Sequence, residues 1–159
     1  MNTSLYNEIL RAKVGPLPLS ETGEVASHYS PIEIRETISK LVAEDRLDLA
    51  YALGEAGLAL YPQSEDILAI AGLLGMLRQD WTYSIGIFNE LLVLQGDSAP
   101  ITTHIMFIRS LRCALEPAAA LSAVMIAHEH YPNHPELEAE FKQITVQLGL
   151  ATAELSTSN

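Results

Sequence analysis

The stretch Ser64–Asp97, SEDILAIAGLLGMLRQDWTYSIGIFNELLVLQGD, decides the fold. Its apolar residues recur at helical spacing on both sides of a break at residues 78–80, so it predicts two helices joined by a short turn. Ser64 suits the N-cap of the first helix, and Trp81 opens the second. Gly72 lies inside the first helix and indicates a point where the two helices approach closely.

Similar pairs of helices are predicted on either side of this stretch. The pair before it begins at Pro31, with Ser30 as N-cap, breaks at residues 44–46 and ends at Tyr61-Pro62. The pair after it is predicted at Pro100–Leu115 and Pro117–His130, and Tyr131-Pro132 ends it as Tyr61-Pro62 ends the first pair. No run alternates with a period of two residues, so the sequence predicts an all-α fold.

A last helix is predicted from Pro135 to about Leu148. Its apolar residues fall on one face and its polar residues on the other, as in the capping helix of a stack. The apolar face is expected to hold Leu137, Phe141, Ile144 and Leu148, and the polar face Glu136, Glu138, Glu140, Lys142 and Gln143.

The sequence predicts one folded domain, residues 31–149, between two irregular ends. Residues 1–30 read as an arm or linker in which a short helix, Thr3–Lys13, is expected because Leu5, Ile9 and Leu10 fall at helical spacing. This arm is either a flexible tail or a segment that docks on a neighbour or on the protein's own groove. Residues 150–159 are polar and are expected to form a disordered tail.

The three pairs align on the small residues Ala50, Ser84 and Ala120, which are spaced 34 and then 36 residues apart. In the middle pair Gly72, Trp81, Ser84, Phe88 and Leu91 fall, in that order, at the positions of a small first-helix residue, an opening aromatic, a small residue, an aromatic and a small residue. This pattern resembles the tetratricopeptide repeat family, whose period is about 34 residues. The pairs also depart from the family's pattern, at Ile38, Gly54, Ile108 and Pro117.

The resemblance implies a right-handed superhelix of three helix pairs plus a C-terminal capping helix, with the first helices lining a concave groove. The candidate partner-binding residues that it implies are Arg35, Val42, Ala69, Leu73, Met76, Leu77, Ile105, Arg109 and Arg112. The middle of this set is apolar, which suits an amphipathic helix or an extended apolar segment. The arginines could pair with acidic groups of that segment. The alternatives are that the apolar residues belong to the core, or that the arm or a second copy of the chain covers them.

Composition limits the classes of partner. The net charge is −11, from 20 acidic and 9 basic residues, so nucleic acid and anionic membrane surfaces repel the protein. The longest apolar run, residues 67–77, is shorter than the roughly 20 residues that a membrane span needs, so no membrane insertion is expected. The single cysteine, Cys113, fits a reducing compartment, and the sequence does not open with a secretory pattern. A cytoplasmic protein is therefore expected.

No catalytic, cofactor-binding or metal-binding pattern is present in the sequence. It lacks a phosphate-binding glycine loop, zinc-ligand spacing and a nucleophile motif, and His128 and His130 point in different directions on a helix. We therefore expect a protein that is not an enzyme and that uses no cofactor or metal.

Two functions remain after these exclusions. The first is a binding module that holds an apolar or amphipathic segment of a client protein. In size, charge and repeat number it is similar to the chaperones of bacterial type III secretion. The alternative is a structural adaptor that associates with itself, as a homodimer or larger, within a bacterial assembly.

Overall fold

The structure, a computed structural model, describes residues 28–149, and within that range it contains α-helices and no strand. The helices are α1 (Pro31–Ala43), α2 (Leu47–Leu60), α3 (Glu65–Leu77), α4 (Trp81–Gln95), α5 (Ile101–Cys113), α6 (Pro117–His130) and α7 (Pro135–Gln147), with a 3-10 turn at Gly96–Ser98. The all-α prediction and the three helix pairs are confirmed. The predictions for residues 1–27 and 150–159 lie outside the described residues.

Serine side chains cap the two helices for which the sequence predicted a serine N-cap. Ser30 caps α1: its side chain accepts from the Glu33 N–H, and the Glu33 carboxylate accepts from the Ser30 N–H at 2.9 Å. Ser64 caps α3 with a single bond, in which its hydroxyl accepts from the Ile67 N–H at an N···O distance of 3.4 Å. Pro100 is the N-cap of α5 and not part of its first turn, so that helix begins one residue later than predicted.

The turn inside each pair has one geometry, and it fixes the register of the repeat. Asp45, Gln79 and Leu115 have φ values of 59°, 60° and 61°, in the left-handed region. The residue after each donates its N–H to a carbonyl near the end of the preceding helix, as Asp80 does to Gly75 at 2.9 Å. Because these turns are spaced 34 and 36 residues apart, they confirm the register that the sequence predicted.

The two helices of the middle pair pack at a distance that only glycine permits. A Cβ atom added to Gly72 would lie 2.6 Å from ring atoms of Phe88, which is 2% exposed. The Ser84 hydroxyl donates to the Gly72 carbonyl at 3.0 Å across the same contact. The predicted close approach at Gly72 is therefore confirmed.

Two departures from the family pattern, Ile38 and Gly54, reverse the sizes found in the middle pair. There Gly72 puts a small residue on the first helix and Phe88 puts a large one on the second. A Cβ atom added to Gly54 would lie 2.7 Å from the Leu74 Cδ1 atom of α3 and 4.0 Å from the Ile38 Cδ1 atom of α1. The space beside Gly54 is therefore filled from α3 and α1, whereas the space beside Gly72 is filled by Phe88 of α4.

The repeated Tyr-Pro sequences close the first and third pairs. The Tyr61 hydroxyl donates to the Tyr29 carbonyl, and the Tyr131 hydroxyl donates to the Ala99 carbonyl, both at 2.8 Å. Each bond joins the end of the second helix to the residue before the N-cap of the first. The recurrence of Tyr-Pro in the sequence thus reflects one repeated structural role.

The contacts divide the chain into two compact units, with the boundary between Gln95 and Gly96. In the first unit α1–α4 surround a core that includes Ile34, Leu53 and Ile67, all fully buried. In the second unit α5–α7 bury Ile108, Leu111, Ala120, Leu137 and Ile144. Among the helices of residues 28–149, none is long and apolar enough to cross a membrane.

Candidate functional site

The outward face of α3 is apolar along most of its length. Ala69, Leu73, Met76 and Leu77, which we call the α3 strip, fall on one face because they are spaced at i, i+4, i+7 and i+8. Leu73 is 39% exposed and Leu77 is 53% exposed, while Ala69 and Met76 are half-buried. The opposite face of α3 contributes seven buried residues to the core, between Ile67 and Gly75. The α3 strip is therefore apolar surface that the core of this unit does not use.

Two further predicted contact residues of the first unit lie on α1. Val42, in its last turn, is half-buried and packs against the core. Arg35 is exposed, and its guanidinium forms an ion pair with the Asp66 carboxylate at the start of α3. The sequence predicted that Arg35 could pair with an acidic group of a client, but the structure gives it a carboxylate of its own chain.

The second unit brings the other two predicted arginines together on one buried carboxylate. The Nε atoms of Arg109 and Arg112 each donate to an oxygen of Glu140 at 2.8 Å, and we call these three residues the Glu140 cluster. Glu140 is 5% exposed. Two guanidinium groups and one carboxylate leave a net charge of +1. The terminal nitrogens of both arginines have no further partner in the part of the chain that the structure describes.

Three sequence predictions about this unit need correction or withdrawal. Glu140 was expected on the polar face of the last helix and is instead buried, because two arginines of α5 neutralise and bond it. Phe141 was expected on the buried stripe and is 44% exposed. Ile105 was expected to line a groove but is 1% exposed, so its side chain is part of the core and presents no surface to a partner.

The pairing of Glu140 is the main feature that the sequence did not reveal. Arg109 and Arg112 lie three residues apart, so they share one face of α5 and can reach a common partner. The sequence contains many glutamates, and the spacing of the arginines does not indicate which one faces them. Only the packing of α7 on α5 selects Glu140.

Titratable groups of the described residues suggest no catalytic arrangement. No group of three or more His, Cys, Asp or Glu side chains within residues 28–149 could hold a metal ion. Burial raises the pKa of Tyr83, although Arg78 opposes that shift. Burial also lowers the pKa of His104, and the adjacent His130 lowers it further. Neither residue lies on the α3 strip or in the Glu140 cluster.

The comparisons with known proteins identify a fold. No family model matches the sequence, and no curated protein matches it. The chain is similar to a solved structure of MamA (MamA MSR-1 C2), with a TM-score of 0.68 and 14% identity over 83% of this chain and 76% of that one. It is also similar to YrrB, described as a TPR protein with an unusual peptide-binding site. That TM-score is 0.64, with 17% identity over 86% of this chain and 69% of that one. These likenesses confirm that the helix pairs form a tetratricopeptide-type fold.

Proposed function

We propose that this protein is a non-catalytic binding module that holds an apolar or amphipathic segment of a client polypeptide. The observation that carries the proposal is the α3 strip, because Leu73 and Leu77 expose apolar side chains on a helix whose other face is fully used by the core. Contiguous apolar surface of this kind is typical of binding sites for other polypeptides.

The chemistry of the strip favours an apolar occupant. Leu73, Met76 and Leu77 offer no hydrogen-bonding group apart from the weakly accepting Met76 thioether, and an unbranched Met side chain adapts to the shape of its partner. An amphipathic helix would place its own apolar side chains, spaced at three or four residues, against such a surface. The description of YrrB as a peptide-binding protein of the same fold supports a peptide as the kind of partner.

The charged residues suggest how an acidic group of the client would be recognised. Arg35 is neutralised by Asp66, so it offers little net charge. The Glu140 cluster keeps a charge of +1 and has terminal guanidinium nitrogens available, with the Arg109 side chain 37% exposed and that of Arg112 22% exposed. We infer that a carboxylate of the client binds Arg109 and Arg112 while Glu140 holds both side chains in place.

Within this proposal, the finer role is that of a cytoplasmic chaperone that keeps an aggregation-prone subunit from assembling early. The similarity to type III secretion chaperones in size, acidity and repeat number supports that role. Covering an apolar segment of the client with the α3 strip would remove the surface through which client molecules associate. Released client would then be free to assemble.

The alternative is a structural adaptor in which the α3 strip of one molecule contacts another copy of the chain. The same exposed leucines support it, because an apolar surface does not by itself distinguish a client from a second copy. The two functions differ in what the purified protein does without a client, since only the adaptor forms stable higher oligomers alone.

The test replaces two residues of the α3 strip and measures how tightly the variant binds a client protein. Met76→Glu with Leu77→Glu places two charges where apolar side chains of the client would pack. Each buried side chain of this size contributes about 1.5–3 kcal/mol, so the dissociation constant for the client should rise by a factor of about 100 or more. Tagged full-length protein is used to capture clients, which mass spectrometry identifies, and the affinity for each is then measured by calorimetry.

The control makes the same chemical change elsewhere on the same unit. Val93→Glu with Leu94→Glu introduces two adjacent charges at exposed apolar residues of α4, which are 75% and 43% exposed. The control variant should keep both client affinity and helical content. If the Met76→Glu, Leu77→Glu variant keeps its client, the α3 strip is not the binding surface.

A further inference from the structure

A second apolar surface lies within the second unit, between α6 and α7. It is an open groove of about 470 Å³, which we call the α6/α7 groove, lined by Val124, Met125, His128, Glu129, Leu137, Glu138 and Phe141. Val124 and Leu137 are buried and form its base, whereas Met125 is 64% exposed and Phe141 is 44% exposed. The exposed apolar area is therefore concentrated at the mouth of the groove.

The repeat allows this groove to be compared with a surface of the first unit. Tyr61 and Tyr131, which end α2 and α6, lie 70 positions apart in the chain. Gln79 and Gly149, the left-handed residues that follow α3 and α7, lie 70 positions apart as well. The α6/α7 groove is therefore equivalent to the surface between α2 and α3.

In the first unit a helix covers the equivalent surface. Three groove residues have equivalents that share one small cavity with Tyr83 of α4: Gly54 for Val124, Glu55 for Met125 and Ala71 for Phe141. That cavity measures about 10 Å³, against about 470 Å³ for the groove. Thus α4 fills this place in the first unit, whereas nothing within residues 96–149 fills it in the second. By this comparison, a helix is the element that fits the α6/α7 groove.

The groove differs from its equivalent in how closely a helix can approach. Gly72, which lets Phe88 of α4 come near α3, corresponds to Lys142 of α7, and Lys142 is exposed. A helix in the groove therefore cannot interlock with α7 as α4 does with α3. That difference fits a helix of another molecule, which binds and leaves.

Charge determines what kind of helix the groove attracts. Glu129 and Glu138 line it, and within residues 28–149 neither forms an ion pair. His128 is the other titratable side chain of the groove, and no lysine or arginine of the described residues lines it. A helix with basic side chains beside its apolar face would be attracted to both carboxylates. A second copy of this chain, with a net charge of −11, would be repelled.

We propose that the α6/α7 groove binds a basic amphipathic helix of another protein, in the place that α4 occupies on α2 and α3. Apolar side chains of that helix, spaced at three or four residues, cover Met125 and Phe141. Its lysine or arginine side chains pair with Glu129 and Glu138. The protein then has two separate apolar binding surfaces, the α3 strip for the client and the α6/α7 groove for a second partner.

A synthetic peptide of leucine and lysine serves as the probe, with leucine spaced at three and four residues so that one face of its helix is apolar. Its binding to the full-length protein is measured by fluorescence anisotropy. Met125→Gln with Phe141→Gln should raise the dissociation constant at least about tenfold, because two apolar contacts are lost. The matched control, Val93→Gln with Leu94→Gln, changes residues that are 75% and 43% exposed on α4 and should leave it within about twofold.

The charges of the groove are tested by variants that keep the size of each side chain. Glu129→Gln with Glu138→Gln should raise the dissociation constant about fivefold, since two attractive charges are removed. Glu90→Gln with Glu136→Gln changes the net charge equally at exposed positions outside the groove, and its effect should stay below about twofold. A peptide with glutamate in place of lysine should not bind measurably. Circular dichroism checks that each variant is folded.

Three results would overturn the proposal by showing that the groove does not bind the basic peptide. Equal affinities of the Met125→Gln, Phe141→Gln variant and its control would mean that the peptide binds elsewhere. Equal binding of the lysine and glutamate peptides would mean that charge does not select the occupant. Loss of binding in Leu73→Gln with Leu77→Gln, while the groove variant still binds, would place the peptide on the α3 strip.

Two further results would overturn it by assigning the groove to this chain itself. Tighter binding of the peptide after Leu155→Gln, or after Leu5→Gln with Ile9→Gln, would mean that one end of the chain competes for the groove. A dimer that Met125→Gln with Phe141→Gln converts to monomer would mean that a second copy occupies it.

Discussion

At the scale of single residues, Glu140 is the most informative side chain of the second unit. A buried carboxylate is costly unless it is paired and hydrogen-bonded, and here both of its oxygens accept from guanidinium groups at 2.8 Å. The same contacts hold Arg109 and Arg112 side by side on α5. Glu140 therefore links the docking of α7 to the position of the only two arginines that we assign to client recognition.

Removing the charge of Glu140 should destabilise the fold. In Glu140→Gln the side chain keeps its size, but both arginines lose a charged acceptor, so the free energy of unfolding should fall by about 1–3 kcal/mol. Urea denaturation followed by circular dichroism measures the change. Glu136→Gln, at an exposed position on the same helix, is the control and should change stability by less than about 0.5 kcal/mol. Equal losses in the two variants would show that the cluster adds no stability.

His104 couples the stability of the second unit to pH. Its ring stacks on His130, with centroids 6.4 Å apart, and lies 6.0 Å from the ring of Tyr131. Burial lowers the pKa of His104, and His130 lowers it further. The unfolded chain therefore takes up a proton at a higher pH than the folded chain does. The part of the unfolding free energy that depends on neutral His104 is fully present above the ordinary histidine pKa of about 6.5. It is lost as the pH falls from there through the lowered pKa.

This linkage predicts a weaker pH dependence of stability in one histidine variant. Between pH 7.5 and pH 5, the loss of unfolding free energy should be smaller in His104→Gln than in the unchanged protein, because the variant lacks the group with the lowered pKa. Urea denaturation of both proteins at a series of pH values measures the difference. Parallel pH profiles for the two proteins would exclude His104 as the cause.

At the scale of helices, the contact between α3 and α4 depends on the absence of a side chain at position 72. The ring of Phe88 occupies the space that a Cβ atom would need, and Phe88 is surrounded by core. Interiors are packed as densely as organic crystals, so neither helix can yield without losing other contacts. Gly86, on α4, has nothing within 4 Å of its Cβ position and provides a natural comparison.

Alanine at these two glycines should have opposite effects. Gly72→Ala should lower the free energy of unfolding by about 1–3 kcal/mol, as overpacked cores do. Gly86→Ala should raise it by about 0.5–1 kcal/mol, because alanine loses less backbone entropy than glycine in a helix. Urea titrations of the two variants measure both changes. A stabilising Gly72→Ala would mean that α3 and α4 lie further apart than the structure shows.

At the scale of the whole molecule, strong acidity and exposed apolar residues occur together. A net charge of −11 keeps molecules of this chain apart in solution, while the α3 strip favours association with an apolar partner. A basic client gains from both properties, and a neutral client gains from the apolar surface without repulsion. A second copy gains from the apolar surface only, and the like charges oppose it.

The mass of the purified protein therefore separates the two proposed functions. Without a client, we expect sedimentation at physiological salt to give a monomer of 17.4 kDa or a small dimer. Raising the salt concentration screens the repulsion and should shift the mass only slightly. Stable higher oligomers in the absence of a client would favour the self-associating adaptor.

The sequence predicted the helix starts, the repeat and the close approach at Gly72, and it missed the burial of Glu140, which depends on how α7 packs on α5. Ser30 and Ser64 indicated where α1 and α3 begin, and the spacing of Ala50, Ser84 and Ala120 indicated the register of the repeat. Both could be predicted because a cap depends on neighbouring residues and a repeat shows as a regular spacing in the sequence. The burial of Glu140 could not be predicted, since a glutamate is assigned to solvent unless its distant partners are known. The binding role of the α3 strip stays a prediction, and so does the single domain of residues 31–149.

The exchange of large and small residues between the helix pairs has a consequence for how repeats of this kind can be recombined. Joining α1 to α4 would put Ile38 at the position of Gly72 and force its side chain into the ring of Phe88. Single helices are therefore not exchangeable modules in this chain. Duplication, deletion or grafting should succeed only when a first helix travels together with its own second helix.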